Sequence, residues 1–369
     1  MTKKLRVAVL FGGRSGEHEV SLMSARSVIG ALDPARYEIF PIGITHAGNW
    51  FIGENVLEAL EQNNTESLNH AAIFPEPGYE GLYAIRNTQY SKITDLDVLF
   101  PVLHGTFGED GTIQGLFELA DVAYVGAGVV GSAVGMDKGI FKDVMRGNDI
   151  PVVDWVILRR SEIEQDMEAI LHKVESLGAY PLFTKPANLG SSVGISKCNN
   201  RSDLSEGIME AAAFDRRILV ELGVVNASEI EVSVLGNDSP IASVCGEVLP
   251  SREFYSYESK YIDGTSGLVI PAKIPMQVSE HIRDLAVRAY KAIDCAGMAR
   301  VDFFLEKETG RVLLNELNTL PGFTSISMYP KLWDATGLSY PELVDRLIQL
   351  ALERKAERDH TTREFRRSE

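Results

Sequence analysis

The chain has 369 residues, 45% of them hydrophobic and 24% charged, which is typical of a globular protein with roughly two to three domains. It carries 36 basic and 52 acidic residues, a net charge of −16, which argues against nucleic acid or an anionic membrane as a partner because phosphate contacts need clustered cations. The sequence has no apolar run long enough to span a bilayer, and its three widely spaced cysteines are typical of buried thiols in a reducing cytoplasm.

The N-terminal segment predicts an α/β unit that starts with a buried strand. Residues 5–11 form this strand, the turn G-G-R-S-G-E-H-E follows, and a helix is predicted from Val20 to Leu32. The glycine spacing is not G-x-G-x-x-G, and Glu17 stands where a pyrophosphate would bind, so a dinucleotide site is disfavoured. Glu17 either caps the helix or receives a substrate ammonium, and the pattern leaves both roles open.

A second buried strand, at 97–105, leads into the loop H-G-T-F-G-E-D-G and a helix from Thr112 to Ala120. Loops at the carboxyl ends of such strands bind ligands in open α/β sheets, so His104 is a candidate site residue. Residues 50–92 show no clear periodicity and receive no prediction. The short strand V-A-Y-V-G closes the first domain near residue 135.

The central segment places cations where an anion could bind. Asp137 is predicted to cap a helix that ends at Arg146, and Lys138 in its first turn suggests an anionic partner, with an exposed lysine as the alternative. A strand at 152–158 and a helix at 161–177 follow. In K-P-A-N-L-G-S-S-V-G, the lysine and the two serines could hold phosphate oxygens, although the same letters fit a plain hairpin turn.

The C-terminal part predicts strands at 217–222 and 228–235, then an aromatic, charged segment from Pro250 to Gly267. Glu229 and Glu231 lie two residues apart in the second strand and so share a face. The aromatic segment lacks periodicity, and a loop of that length is expected to be a lid.

A predicted hairpin at 299–318 carries the strongest metal signal. If it closes near Thr309, Asp302 faces Glu316 and Arg300 faces Asn318 across the strands. Two carboxylates and an amide oxygen suit magnesium, and a solvated polar face is the alternative.

The chain is predicted to end in a long helix followed by a charged tail. Ser339 and Glu342 form a capping box that opens the helix. The tail from Arg354 to Glu369 is expected to fray.

Six separated motifs resemble, in this order, the D-alanine–D-alanine ligases of the ATP-grasp superfamily, in their larger bacterial form. The motifs are G-G-R-S-G-E-H-E-V-S, H-G-T-F-G-E-D-G, M-D-K, K-P-A-N-L-G-S-S-V-G, Y-x-x-K-Y and R-V-D followed by N-E-L-N-T-L-P-G-F-T-S. Each motif alone is modest, but their order and spacing cover nearly the whole chain. Only residues 50–92 and the tail fall outside the resemblance.

The resemblance implies an α/β ATP-grasp fold. An N-terminal open parallel α/β domain at 1–135 would be followed by two α+β domains at 136–222 and 223–360 that clasp ATP, and by a frayed tail at 361–369. It also implies ATP-dependent joining of two D-alanine molecules through an acyl phosphate, for peptidoglycan precursors, by a cytoplasmic homodimer.

The resemblance further implies two Mg²⁺ or Mn²⁺ ions per site, held by Asp302, Glu316 and Asn318. The residues it implies for ATP are Lys138, Lys185, Ser191, Ser192, Glu221, Leu222, Glu229 and Lys260. Those implied for D-alanine or for catalysis are Glu17, His104, Ser191, Tyr261, Arg300, Gly322, Ser327 and Met328. Among these, Glu17 would hold an ammonium and Arg300 with the Gly322 N–H would stabilise an oxyanion.

Three other functions fit parts of the sequence less well. A D-alanine–D-lactate ligase typically lacks the pair Lys260-Tyr261 or replaces its tyrosine, and this chain keeps both. A biotin-type carboxylase should carry a bicarbonate site in place of H-G-T-F-G-E-D-G. A non-catalytic nucleotide-binding protein would be expected to have lost one of Lys185, Arg300, Asp302 and Glu316, and all four are present.

Overall fold

The computed structural model describes residues 3–190, 193–249, 267–324 and 326–362, and these ranges form three sheets covered by helices. The first sheet has the order β6-β5-β4-β3-β2-β1-β7-β8. Its strands are β1 Leu5–Gly12, β2 Tyr37–Ile44, β3 Trp50–Ile52, β4 Asn69–Ala72, β5 Leu82–Arg86, β6 Gln89–Thr94, β7 Val98–Val102 and β8 Ala123–Tyr124. Its helices are α1 His18–Ala31, α2 Val56–Glu61, α3 Thr112–Leu119 and α4 Val129–Met136.

This first sheet is parallel where the sequence predicted it and antiparallel beyond. Strand β1 pairs in parallel with β2 and β7, and β7 pairs in parallel with β8. The segment without a prediction, residues 50–92, supplies helix α2 and most of the antiparallel extension from β3 to β6. Three of these four strands have five residues or fewer, too few for a period-two pattern to stand out.

The second sheet is antiparallel, with the order β11-β10-β12-β9. Its elements are α5 Lys138–Gly147, β9 Trp155–Arg159, α6 Arg160–Gln165, α7 Met167–Glu175, β10 Leu182–Pro186, β11 Ser196–Cys198, α8 Arg201–Phe214 and β12 Arg217–Leu222. Strands β10 and β11 flank the serine-glycine loop, as predicted.

The third sheet is also antiparallel, with the order β15-β14-β13-β16-β17. Its elements are β13 Ala227–Gly236, β14 Ile241–Leu249, β15 Gly267–Val269, α9 Met276–Ala292, β16 Gly297–Glu306, β17 Val312–Asn318, α10 Met328–Thr336 and α11 Tyr340–Asp359. Among the described residues, no helix combines the length and apolar character needed to cross a bilayer.

Two predicted helix starts are confirmed by their caps. The carboxylate of Asp137 accepts the backbone N–H groups of Gly139 and Ile140, at 3.1 and 3.0 Å, and so opens α5. Ser339 and Glu342 form the predicted capping box at the start of α11. Both caps satisfy backbone donors that a helix cannot pair internally.

The prediction of one helix over 161–177 is wrong, because the segment forms the two helices α6 and α7. They are separated at Asp166, whose backbone leaves the helical region with φ −156° and ψ 86°. Its carboxylate accepts the N–H of Ala169 at 3.0 Å and caps α7. Aspartate at this position offers the backbone an alternative to continuing the first helix.

The expected fraying from Arg354 onward is wrong for residues 354–359, which continue α11. The guanidinium of Arg354 donates to the carbonyl of Tyr124 at 3.1 Å, and that of Arg358 donates to Asp121 at 2.9 Å. These charges anchor the last turns of α11 to the first sheet. Residues 363–369 lie outside the described part of the chain.

Helix α11 also joins the first and third sheets through a shared core. Its buried side chains Leu343, Val344 and Leu347 belong to the same apolar cluster as Phe100 of β7 and Phe323. The loop that follows β17 is therefore held against the carboxyl end of the parallel strands, where open α/β sheets bind ligands.

Candidate active site

The predicted register of the C-terminal hairpin is confirmed. Asp302 lies opposite Glu316 and Arg300 lies opposite Asn318, with an irregularity in the ladder just after Asp302. On the other side of β16, Glu231 of β13 lies opposite Asp302. The sheet thus brings three carboxylates onto neighbouring strands, where like charges would repel without a cation between them.

The guanidinium of Arg300 offsets part of this repulsion between carboxylates. Its Nε lies 2.8 Å from Asp302 Oδ1 and 2.9 Å from Glu231 Oε2, and its Nη2 lies 2.7 Å from Asp302 Oδ2. The side-chain amide of Asn318 donates to Asp302 Oδ2 at 3.2 Å. A planar guanidinium matches a carboxylate through two parallel bonds, so Arg300 is held in one orientation.

The donor set of this hairpin fits a hard divalent cation. Asp302, Glu316 and Asn318 present carboxylate and amide oxygens from two paired strands, the ligand type that Mg²⁺ and Mn²⁺ prefer. Within the described ranges, however, no three His, Cys, Asp or Glu side chains converge closely enough to hold an ion by themselves. Any ion here would therefore need ligands from outside the carboxylate set, such as phosphate oxygens or water.

Glu17 and the two glycine-rich loops meet Arg300 and Glu316 in one depression between the three sheets. The residues that line it come from all parts of the chain and include Glu17, His104, Glu109, Lys138, Gly190, Arg300, Glu316, Asn318 and Gly322. Glu17 occupies the N-cap position of α1 but makes no capping hydrogen bond with its side chain. The carboxylate of Glu17 therefore does not cap α1 by a hydrogen bond, although it lies at the helix N-terminus, where a negative charge is favoured.

Two glycines make room for the Glu17 carboxylate. A Cβ atom added at Gly105 would lie 2.9 Å from Glu17 Oε2, and one added at Gly190 would lie 3.1 Å from it. Gly105 also has φ +74°, a backbone conformation that other residues rarely adopt. A larger residue in place of Gly105 in H-G-T-F-G or of Gly190 in L-G-S-S would therefore displace the Glu17 carboxylate.

His104 joins the first sheet to the loop after β17. Its Nδ1 donates to the carbonyl of Leu320 at 2.9 Å, and its Nε2 lies 3.2 Å from the hydroxyl of Ser24. Since the carbonyl can only accept, the neutral ring carries its proton on Nδ1. Burial lowers the pKa of His104, although the nearby Glu17 carboxylate opposes this. Both ring nitrogens hold protein groups, so His104 fixes the position of the loop that contains Gly322.

Glu109, which sequence reasoning missed, holds the same loop from the other side. Its carboxylate oxygens accept the backbone N–H groups of Gly105 at 2.7 Å and Leu320 at 3.0 Å. Burial and the neighbouring Glu17 carboxylate raise the pKa of Glu109 to about 8, against the opposing effect of the two N–H donors. An acidic residue five positions after His104 in a glycine-rich motif was the available signal.

Lys138 and Lys185 both lie where an anion could bind between the second and third sheets. The ammonium of Lys138 donates to the carbonyl of Leu189 at 2.6 Å, next to the serine-glycine loop. Burial lowers the pKa of Lys138, and the Glu316 carboxylate partly offsets this. On β10, Lys185 Nζ lies 2.5 Å from Glu221 Oε1. Burial alone would lower the pKa of Lys185, but the carboxylates of Glu221, Glu316 and Glu229 together more than offset this and raise it.

A second missed residue, Lys142, shares Glu221 with Lys185. Its Nζ lies 3.0 Å from Glu221 Oε2. Burial would raise the pKa of Glu221, but the ammonium groups of Lys142 and Lys185 lower it to about 2. The carboxylate is therefore ionised and pairs with both lysine side chains. Burial lowers the pKa of Lys142, and the Glu221 carboxylate opposes this effect.

The remaining predicted residues do not line this depression. The backbone N–H of Leu222 donates to the carbonyl of Asp154 at 3.1 Å and extends the pairing of β12 with β9 by one residue. Glu229 lies on β13 opposite Phe304, close enough to raise the pKa of Lys185. Ser327 accepts from the Thr324 N–H at 3.0 Å, and the Met328 side chain packs in a small apolar cluster with Val248 and Leu332.

Several predicted residues lie outside the described part of the chain. These are Ser191, Ser192, Lys260 and Tyr261, together with the expected lid apart from Gly267 itself.

Comparison with known proteins gives a consistent result along the chain. The family model described as "D-ala D-ala ligase N-terminus" matches residues 6–127, and the one described as "D-ala D-ala ligase C-terminus" matches residues 144–349. The chain is 49% identical to a D-alanine–D-alanine ligase of Natranaerobius thermophilus, covering 99% of this chain and 100% of the relative. It is 51% identical to one of Thermoanaerobacter pseudethanolicus, with 95% and 97% covered.

Solved structures agree with these matches. A D-alanine–D-alanine ligase from Coxiella burnetii superposes with a TM-score of 0.84 at 36% identity, covering 97% of each chain. The VanG D-Ala:D-Ser ligase from Enterococcus faecalis also superposes with a TM-score of 0.84 at 36% identity, covering 95% of this chain and 100% of that one. Two enzymes with different acceptors thus match equally well, so overall similarity does not by itself select the acceptor.

Proposed function

Because the chain belongs to the D-alanine–D-alanine ligase family, and so has the expected ATP-grasp fold, we propose that it joins two D-alanine molecules in an ATP-dependent reaction. The observation that carries this proposal is the convergence of Glu17, Lys138, Arg300 and Glu316 on one depression between the three sheets. A carboxylate for an ammonium, a guanidinium for an oxyanion and a lysine for phosphates are the charges that this reaction requires.

The proposed reaction has two steps. A carboxylate oxygen of the first D-alanine attacks the γ-phosphorus of ATP, ADP leaves, and an acyl phosphate forms. The unprotonated amine of the second D-alanine then attacks the carbonyl carbon, the C–O bond to phosphate breaks, and the dipeptide and inorganic phosphate are released. The acyl phosphate is needed because a carboxylate has no adequate leaving group.

The proposed substrate roles follow the charges of the site. Glu17, whose carboxylate fits in the space that Gly105 and Gly190 leave open, holds the ammonium of the first D-alanine. Arg300 and the Gly322 N–H stabilise the oxyanion of the tetrahedral intermediate, and such preorganised donors are typically the largest single contribution to catalysis. His104 and Glu109 position the Gly322 loop through Leu320. The carboxylate of the second D-alanine is held near Ser327 and Met328.

The proposed nucleotide roles fall on the second and third sheets. Lys138 and Lys185 bind the ATP phosphates together with Ser191 and Ser192, and Lys260 contacts them from the lid. Glu221 and Leu222 lie beside the adenine, and Glu229 binds the ribose. Tyr261 completes a network with Glu17 and Ser191. Asp302, Glu316 and Asn318 hold two Mg²⁺ or Mn²⁺ ions, which when bound neutralise charge on the phosphates.

The proposal also covers the domain boundaries, the oligomeric state and the cellular location. The domains divide near residues 135 and 222, where the chain passes from one sheet to the next. We also propose a homodimer formed through the first domain, and a cytoplasmic location where ATP and peptidoglycan precursors are available. D-Alanine and ATP are the partners that the site requires.

The proposal is tested by measuring ADP and product formation in parallel reactions. The purified chain is incubated with Mg·ATP and D-alanine, with L-alanine, or with D-alanine plus D-lactate or D-serine. We expect ADP and D-alanyl-D-alanine in equal amounts with D-alanine alone, and neither product with L-alanine. ADP release without dipeptide, or dipeptide formation without ATP, would refute the proposal.

A further inference from the structure

The most informative residue that the proposed mechanism leaves unassigned is Lys142. It lies one turn after Lys138 on α5, and its side chain is only 2% exposed. Its ammonium pairs with Glu221 Oε2 at 3.0 Å and lies 5.8 Å from the centre of the Trp155 ring. A fully buried lysine is rare unless its charge is paired, because moving an ammonium group out of water costs free energy.

Glu221 carries one negative charge but has two lysine partners. One buried carboxylate is shared between two ammonium groups, with Lys185 on Oε1 at 2.5 Å and Lys142 on Oε2 at 3.0 Å. Lys185 lies on β10, which leads into the serine-glycine loop, whereas Lys142 lies behind the site on a helix. A single lysine would suffice to neutralise the carboxylate, so the second one needs an explanation.

The arrangement matters when a nucleotide binds. A phosphate bound by Lys185 would compete with Glu221 for the same ammonium group and so weaken the Lys185–Glu221 ion pair. Without another cation, this step would leave a buried carboxylate unpaired, which is strongly unfavourable. With Lys142 in place, Glu221 keeps a counterion while Lys185 changes partner.

We propose that Lys142 is a positioning residue that serves as the permanent counterion of Glu221 and thereby frees the Lys185 ammonium for the nucleotide. The inference rests on the proposed function, since it assumes that Lys185 binds ATP phosphates. It assigns Lys142 no contact with substrate. Lys142 affects nucleotide affinity only by pairing with Glu221, and it does not affect D-alanine binding.

The test compares nucleotide affinity in Lys142→Met with that of the parent. Equilibrium binding of Mg·ADP and of a non-hydrolysable ATP analogue is measured by calorimetry, and KM values are measured separately for ATP and for D-alanine. We expect affinity for the ATP analogue to fall by about tenfold or more, because one buried cation must then serve two anions. The KM for D-alanine should stay within about twofold, and Lys142→Arg should restore most of the affinity.

Arg146→Met is the matched control. Arg146 lies one turn further along α5, and its guanidinium lies 4.0 Å from the centre of the same Trp155 ring. Its side chain is 56% exposed and pairs with Asp154 rather than with Glu221. Removing this cation should leave nucleotide affinity unchanged, so a loss equal to that of Lys142→Met would overturn the inference.

A double-variant comparison covers the case in which Lys142→Met does not fold. In a Glu221→Gln background the carboxylate is absent, so the additional Lys142→Met change should not weaken nucleotide binding further. Equal affinity in the single Glu221→Gln and the double variant supports the counterion role, whereas a further tenfold loss overturns it. A parent protein that binds no ATP analogue at all would refute the proposed function instead, which keeps the two failures distinct.

Discussion

Replacing Glu109 by glutamine should change how the stability of this protein depends on pH. The buried carboxyl group has a pKa of about 8, raised by burial and by Glu17. Below about pH 4.5 the group is neutral in both the folded and the unfolded chain. As the pH rises toward 8, the unfolded chain loses this proton first, so the contribution of Glu109 to stability falls across that window.

The size of the effect follows from the pKa difference between the two states. A group whose pKa is raised from its ordinary value to about 8 loses about 3–6 kcal/mol of stability between pH 4.5 and 8. Glutamine keeps the shape but cannot ionise. Its amide nitrogen faces one of the two N–H donors, of Gly105 or Leu320, which costs about 1–3 kcal/mol at every pH.

The assay is urea unfolding of the parent and of Glu109→Gln at pH 5 and pH 8, followed by tryptophan fluorescence. We expect the variant to be less stable than the parent at pH 5 and to regain several kcal/mol relative to it at pH 8. Glu54→Gln, at an exposed position of the same domain, should follow the parent at both pH values. A constant difference between Glu109→Gln and the parent from pH 5 to 8 would refute the reasoning.

Three further predictions concern the site. Glu316→Gln should raise the magnesium concentration needed for half-maximal activity, because one oxygen ligand loses its charge, and full activity at ordinary magnesium would contradict the metal assignment. Lys185→Ala should cost about 2–4 kcal/mol of transition-state stabilisation with little change in the KM for D-alanine, and an unchanged kcat would contradict it. Gly105→Ala should raise the KM for D-alanine, because the new methyl group would lie 2.9 Å from the Glu17 carboxylate and φ is +74°. Thermal unfolding checks that the variant folds, and an unchanged KM in the folded variant would contradict the prediction.

The sequence was most informative where a short-range pattern determines the structure. The alternation in the C-terminal hairpin, together with its short turn, was enough to place Asp302 opposite Glu316, because register follows from turn position and period two. The caps at Asp137 and Ser339 could likewise be read from adjacent letters. Strand β12 was predicted with its observed bounds.

The sequence was least informative where the outcome depends on contacts between distant segments. Lys142 reads as an ordinary helical lysine, and only the fold reveals that it faces Glu221, 79 positions later in the chain. Residues 354–359 read as part of a charged tail, and their helical structure is supported by a carbonyl of β8 and by the Asp121 carboxylate just before that strand. Residues 50–92 gave no signal because their strands are short and pair only with one another and with β2.

The central claim, that the site activates a carboxylate as an acyl phosphate, can be tested directly by isotope transfer. D-Alanine labelled with ¹⁸O in both carboxylate oxygens is incubated with Mg·ATP and the purified chain, and the released phosphate is analysed by mass spectrometry. The account predicts that each phosphate carries one ¹⁸O atom, because the carboxylate oxygen that attacks phosphorus leaves with it when the amine attacks the carbonyl carbon. Phosphate without ¹⁸O, released together with the dipeptide, would contradict the account.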